Sequence, residues 1–164
     1  MIVAVKKLHL LHLNKDAEQN LHNELLSLNR IRHPNIIVFY GACIEKDHYA
    51  LIMEFMSLGS LYQVLHKQKL ELSWSNRLSI ASQATKGINY LHRFQPPISY
   101  RDIKSLNLLL ENHHTDYVVK VCDFGMTKTR NDTTGQMQTN ISAAFTLSWT
   151  APEVFRLRPY TDKS

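Results

Sequence analysis

Between Ser99 and Gly125 the sequence SYRDIKSLNLLLENHHTDYVVKVCDFG places Asp102, Lys104 and Asn107 within one short segment and Asp123 about twenty residues further on. An acid, an ammonium and an amide so close together suit a tight loop. Carboxylate and amide oxygens are hard ligands, of the kind magnesium takes while keeping waters and substrate phosphates in its shell. A lysine adds a compact positive charge suited to a phosphate. Asp123 is followed by Phe124 and Gly125, which suits a metal ligand placed on a turn. The set reads as magnesium-assisted phosphoryl transfer.

Elements must hold these residues in place. Ile2 to Val5 is β-branched and reads as a strand ended by Lys6. From Asp16 to Arg30, Leu21, Leu25 and Leu28 recur at helical spacing, with Asp16 as a cap and Gln19 three places on. Arg32-His33-Pro34-Asn35 is a turn, because the residue before a proline is pushed out of the helical region. Ile36–Tyr40 and Tyr49–Phe55 read as strands, with a bend from Gly41 to Lys46. Ser57 to Ser60 is the one linker-like stretch. Leu61–His66 reads as a short helix. Trp74–His92 reads as a long one, with Trp74, Leu78, Ala81, Ala84, Ile88 and Leu91 on its apolar face and Pro96-Pro97 as its stop. Leu108–Leu110 and Tyr117–Val121 read as strands around the polar turn 111–116.

At this point a family resemblance is plain. Tyr100-Arg101-Asp102-Ile103-Lys104-x-x-Asn107 resembles the H-R-D-L-x-x-x-N catalytic loop of protein kinases; Asp123-Phe124-Gly125 and Ala151-Pro152-Glu153 match the family's D-F-G and A-P-E. The resemblance implies an α+β, bilobal kinase fold. Residues 1–56 would be a partial N-lobe, a sheet with the helix that the family calls αC, and 57–164 the upper half of a mainly helical C-lobe.

The same resemblance assigns roles. Asp102 would accept the proton of the substrate hydroxyl, Lys104 would neutralise the moving phosphoryl group, and Asn107 and Asp123 would bind Mg2+. Val3-Ala4-Val5-Lys6 is similar to V-A-I-K, so Lys6 would hold the ATP phosphates and Glu24 would pair with it. LIMEFMSLGSL is similar to a kinase hinge. Met53 would be its gatekeeper, the backbones of Glu54 and Met56 would meet the adenine, and Ala4 and Leu109 would clamp its two faces. ATP and Mg2+ are the implied cofactors, and a protein bearing a Ser or Thr hydroxyl is the implied partner.

Lys104-Ser105-x-Asn107 resembles serine/threonine kinases, above all the Raf-like and mixed-lineage group, and Thr146 matches a threonine of that class. Trp149-Thr150-Ala151-Pro152-Glu153 also occurs in tyrosine kinases, so a tyrosine or dual-specificity enzyme is the alternative on the enzyme side. The polar segment between Gly125 and Ala151 resembles an activation loop. Thr127, Thr129, Thr133, Thr134, Thr139 and Ser142 are its candidate phosphoacceptors, with Arg101 as the phosphate's partner.

There are departures. No GxGxxG is formed by the five glycines, and the expected start of the next buried helix does not follow Ser164, so the domain is expected to be incomplete at both ends. Tyr100 replaces the usual His, Phe145 a common Gly, and Ser148 an Arg or Lys. These motivate a second class of reading, a non-catalytic kinase-like scaffold. A phosphotransferase acting on a small molecule is a third.

Composition sets outer bounds. The 164 residues, 44% hydrophobic and 20% charged, describe a folded chain. The net charge of +5 comes with no Lys/Arg run longer than Lys6-Lys7, so a solvated surface is expected rather than a nucleic-acid site. Cys43 and Cys122 are far apart beside apolar residues, which points to reduced thiols and a cytoplasmic location. No apolar run reaches the length of a membrane span. His113-His114 lacks a third ligand and reads as a solvated loop. Oligomeric state is not legible.

Overall fold

In the computed structural model the described residues are 1–7, 25, 29–45, 48–95, 97–114, 116–123, 128–129 and 148–156. Three strands form the first sheet: β1 (Val3–Lys7), β2 (Phe39–Glu45) and β3 (His48–Glu54), in the order β1-β3-β2. All neighbours are antiparallel, and Ala4 lies opposite Met53 while Lys6 lies opposite Leu51. The bend expected over Gly41 to Lys46 is instead strand as far as Glu45. Gly41 and Cys43 pair with Ile52 and Ala50, and the irregularity sits earlier, between Phe39 and Gly41. One extra residue there, Tyr40, lets the strand kink and then continue. The strand expected from Ile36 begins only at Phe39; Ile36 itself forms a single parallel bridge to Val121.

The second sheet joins β4 (Gly59–Ser60), β6 (Leu108–His113) and β7 (Asp116–Val121). The stretch read as a linker thus ends in a pairing, Gly59 opposite Leu110 and Ser60 opposite Leu109. Gly59 sits at φ +71°, where a side chain is strained. The turn 111–116 is tighter than expected, because both strands run almost to its tip and His114 turns the chain at φ 55°. Between β4 and β6 lie a π-helical turn, Gln63–Lys67, and the helix α1 (Trp74–His92). Ser73 caps α1, its hydroxyl accepting from the Asn76 N–H and its own N–H donating to Asn76 Oδ1.

The bounds of α1 agree with the apolar period, but its buried face does not. Ile80, Ala84, Gly87 and Leu91 are buried, whereas Trp74, Leu78 and Ala81 are exposed. Two apolar stripes share this helix, and the one holding the larger residues faces away from the described core. Leu91 joins Ile31, Ile36, Ile37, Met56, Ile98, Tyr100 and Val121 in one cluster; Ile80 joins Val64, Leu72, Leu110 and Val119 in another. Full burial of each such Val, Leu or Ile contributes about 1.5–3 kcal/mol. The shared wall is β7, whose Val119 and Val121 point the same way and reach a different cluster each.

Asn35 ties the first part of the chain to this wall. Its side-chain amide donates to the Val119 carbonyl at 3.0 Å and to Gln83 Oε1 at 3.1 Å, and its own carbonyl accepts from the Val121 N–H at 2.9 Å. The Cα of Gly87 lies so near that a Cβ there would stand 2.5 Å from the Asn35 carbonyl oxygen. A two-residue pair, β5 (Ile98–Ser99) with β8 (Lys128–Thr129), and a short helix α2 (Pro152–Phe155) complete the described elements. The helix expected over Asp16 to Arg30 lies outside the described residues except at Leu25 and Asn29, both helical, with Leu25 buried, and at Arg30, where the chain is already in a turn.

Candidate active site

The loop between β5 and β6 winds back on itself. Asn107 donates its side-chain amide to Asp102 twice, to the backbone carbonyl at 2.9 Å and to Oδ2 at 2.8 Å. Lys104 Nζ meets the same Oδ2 at 2.7 Å, with both side chains nearly buried. The Asn107 N–H donates to the Lys104 carbonyl at 2.9 Å, closing the 3-10 turn Ser105–Asn107. Asp102, Lys104 and Asn107 are therefore one bonded unit, as their spacing suggested. Asp102 Oδ1 is buried and finds no hydrogen-bond partner among the described residues. Buried polar atoms are nearly always paired, so an open acceptor beside a doubly held one marks a place for an incoming donor.

Asp123 is brought to this unit by the backbone. The Cys122 N–H donates to the Asn107 carbonyl at 2.9 Å, which puts the two candidate metal ligands one residue apart across a hydrogen bond. The amide of Asn107 faces Asp102 through its nitrogen, and its oxygen is a hard donor of the kind magnesium takes. Lys6 Nζ reaches Asp123 Oδ1 at 2.7 Å across 117 residues. The lysine on β1 and the acid after β7 thus face one space, with an amide oxygen and a carboxylate as hard donors. This donor set fits a magnesium ion. No cluster of three or more His, Cys, Asp or Glu occurs among the described residues; His113 and His114 are exposed, their rings edge to face with centroids 4.7 Å apart.

Tyr100 anchors the floor. Its ring is buried and its hydroxyl donates to the Cys122 carbonyl. Burial, reinforced by the negative charge of Asp123 and Asp102, pushes the phenol far above its ordinary range, so it stays a donor. Burial likewise pushes the Cys122 thiol up to about 12, with Asp123 adding to the effect. Cys122 packs against the core cluster as a small apolar residue. Arg101 and Asp123 both take left-handed backbone angles, φ 64° and 61°. Non-glycine residues hold such angles only where their surroundings enforce them.

The residues expected at the hinge also converge. Ala4 faces Met53 in the sheet register, and Met53 and Leu109 both pack on the cluster that contains Met56. The Glu54 N–H is committed to the Val38 carbonyl at 2.9 Å and the Met56 carbonyl to the Gly59 N–H at 3.1 Å. Any adenine contact in this stretch therefore falls to the Glu54 carbonyl and the Met56 N–H. Two roles escaped the sequence reading. The Glu54 side chain accepts from the Val38 N–H at 3.1 Å and from Lys120 Nζ at 2.9 Å. The signal was present in Tyr117-Val118-Val119-Lys120-Val121, where one lysine interrupts an apolar strand. The hydroxyl of Tyr100 is the other. Glu24, Phe145, Thr146 and the phosphoacceptor candidates 127, 133, 134, 139 and 142 lie outside the described residues, and Thr129 is described only as backbone of β8.

Comparison with known proteins agrees with this geometry. The model of the family described as protein tyrosine and serine/threonine kinase matches residues 1–164. A probable serine/threonine-protein kinase of Dictyostelium discoideum, drkC, is 42% identical over 167 residues, covering 100% of this chain and 22% of its own length. The serine/threonine-protein kinase CTR1 of Arabidopsis thaliana is 41% identical over 164 residues, covering 99% of this chain and 19% of its own. The chain spans about a fifth of the length of these relatives.

Proposed function

The chain belongs to the protein tyrosine and serine/threonine kinase family, and from that premise we propose that the whole protein transfers a phosphoryl group from Mg-ATP to a serine or threonine hydroxyl of a protein. The observation that carries this reading is the asymmetry of Asp102, one oxygen held by Lys104 and Asn107 and the other buried and open. Fixed in this way, Oδ1 receives the proton that the acceptor hydroxyl releases as its oxygen attacks phosphorus. Lys104 sits close enough to balance charge that builds on the phosphoryl oxygens. Mg2+ and ATP, when bound, supply the charge neutralisation and the transferable group. Asn107 and Asp123 would hold the ion and Lys6 the phosphates. Ala4, Met53, Leu109 and the backbones of Glu54 and Met56 would hold the adenine, with Glu24 as the partner of Lys6.

The serine/threonine preference is supported by the names of the relatives and by Lys104-Ser105-x-Asn107. We place the division of the chain after Met56, since Leu58 already donates to the Leu110 carbonyl at 3.1 Å and so joins the second sheet. A cytoplasmic setting is supported by two free cysteines. No helix among the described residues is long and apolar enough to cross a membrane.

The test is Asp102→Asn in the full chain. Phosphate transfer to protein should fall by at least the 10²-fold typical of a lost general base, while Mg-ATP affinity stays within twofold. Undiminished transfer would refute the mechanism.

A further inference from the structure

Pro34 bends the chain just before Ile36, and a histidine stands in front of it. The His33 carbonyl accepts from the Ile36 N–H at 3.0 Å. This closes a four-residue turn with proline at its second place, where the fixed φ of the ring fits. The side chain closes the turn a second time, since His33 Nδ1 accepts from the Asn35 N–H at 3.1 Å. Asn and Asp make such a bond with a side-chain oxygen. Here a ring nitrogen makes it, and a ring nitrogen can be taken by a proton. The imidazole also packs on Tyr90 of α1, the ring centroids 4.9 Å apart and tilted by 31°. Asn35 carries the turn's geometry onward. Its side chain bonds Val119 and Gln83, its carbonyl accepts from the Val121 N–H at 2.9 Å, and the Ile37 N–H donates to the Val121 carbonyl at 2.9 Å. Val121 stands two residues before Asp123, the carboxylate that meets Lys6.

A proton on Nδ1 turns this acceptor into a donor aimed at another donor. The ionisable groups on the surrounding elements do not favour it. Arg30 and Arg32 share its segment, and Lys86, Tyr90 and Arg93 belong to α1 and its end. No Asp or Glu occurs from 29 to 44 or from 72 to 101. On β7, Asp116 is held by the Ser79 hydroxyl and the Tyr117 N–H. Glu54, which accepts from the Val38 N–H, is paired with Lys120. Burial lowers the pKa of His33 from its ordinary 6.5.

We propose that His33 is a proton-operated latch: its neutral ring holds the turn 33–36 closed, and protonation in mild acid opens the turn, slackens the hold of Asn35 on β7 and lowers phosphoryl transfer. The last step rests on the phosphoryl-transfer reading; the opening of the turn does not. His33 is a positioning residue, acting on the site through Asn35 and Val121. The folded chain takes up this proton less readily than the unfolded one. The latch therefore contributes fully to stability well above pH 6.5 and loses its contribution as pH falls below it, by up to about tenfold in the folding constant per pH unit.

The experiment uses the full chain, His33→Asn and, as control, His92→Asn on the exposed end of α1. Asparagine places its Oδ1 where the ring places Nδ1, and so keeps the acceptor without a titration. Hydrogen exchange at the Asn35 and Ile36 amides, corrected for intrinsic rates, is followed from pH 8 to pH 5. Protection in the unaltered chain and in His92→Asn should fall below pH 6.5, by up to about tenfold per pH unit, while His33→Asn keeps it. Phosphate transfer by the unaltered chain is divided by that of His33→Asn at each pH, which cancels the titration of the nucleotide and of Asp102. This ratio should be level above pH 7 and fall below pH 6.5. Equal protection in the two chains at pH 5, or a level ratio throughout, would overturn the latch. Should His33→Asn not fold, the unaltered chain still decides: NMR titration of the His33 ring and the loss of Asn35 protection must share one midpoint, and separate midpoints would overturn the latch. Loss of protection as expected, with no transfer at any pH, would support the latch and refute the phosphoryl-transfer reading, so the two failures are distinct.

Discussion

Glu54 at the end of β3 and Lys120 inside β7 meet at 2.9 Å, so one carboxylate joins the first sheet to the second. The same Oε2 also accepts from the Val38 N–H. Both side chains are largely buried, which lifts the pair above the surface case, where such bridges contribute about 0–1 kcal/mol. A double-mutant cycle with Glu54→Gln and Lys120→Met should return a coupling of about 1 kcal/mol by denaturant unfolding. A coupling of zero would reduce the contact to incidental proximity.

Gly87 should not tolerate a methyl group. Alanine raises helix propensity by about 1 kcal/mol over glycine, yet its Cβ would stand 2.5 Å from the Asn35 backbone oxygen and 3.1 Å from Val121 Cγ2. The steric cost of about 1–3 kcal/mol wins, because backbone cannot swing aside as a flexible side chain can. Gly87→Ala should therefore lower the unfolding midpoint, while Ser82→Ala on the exposed face of α1 leaves it unchanged. A stabilised Gly87→Ala would show that the segment at Asn35 moves away from the helix.

Lys6→Met separates binding from folding. The bond to Asp123 is short but partly open to solvent, so its loss should shift stability by about 1 kcal/mol or less. Saturating Mg-ATP should raise the melting temperature of the unaltered chain, since a ligand at a hundred times its Kd adds about 2.7 kcal/mol. In Lys6→Met that rise should vanish. Retention of the full rise would remove Lys6 from the nucleotide site.

Thiol chemistry reports on the floor of the site. With its pKa pushed up to about 12 from 9.0, Cys122 is thiolate at about one part in 10⁴ at pH 8, and the thiolate is the reactive form. Alkylation of Cys122, followed by peptide mass mapping, should be slow at pH 8 and rise about tenfold per pH unit. The sign for stability follows. The folded state keeps its proton longer than the unfolded one, so this contribution is complete below pH 9 and declines towards pH 12. Fast labelling at pH 7 would mean that the thiol is not buried as described.

Local signals proved legible where one residue's neighbours in sequence are also its neighbours in space. The loop 102–107 is such a case, because Asp102, Lys104 and Asn107 bond to each other. Helix α1 was readable in extent, from its apolar period and its cap. Which stripe of it is buried was not, because Ile80 and Gly87 are chosen by what β7 and Asn35 present, far away in sequence. Strand β2 was hidden for a related reason. Gly41 signals a bend locally, but the pairing with Ile52 and Ala50 overrides that preference. The tie from Glu54 to Lys120 joins residues that no spacing rule relates.

Arg101 and Asp123 stand on either side of the catalytic loop's floor, each at a positive φ that glycine would adopt without strain. Each costs the fold on the order of 1 kcal/mol. A library selected only for heat resistance would therefore drift towards glycine at these two places and lose a candidate magnesium ligand and a guanidinium in doing so. Thermostability and chemistry pull this backbone in opposite directions, and any effort to harden the protein has to keep both positions out of the search.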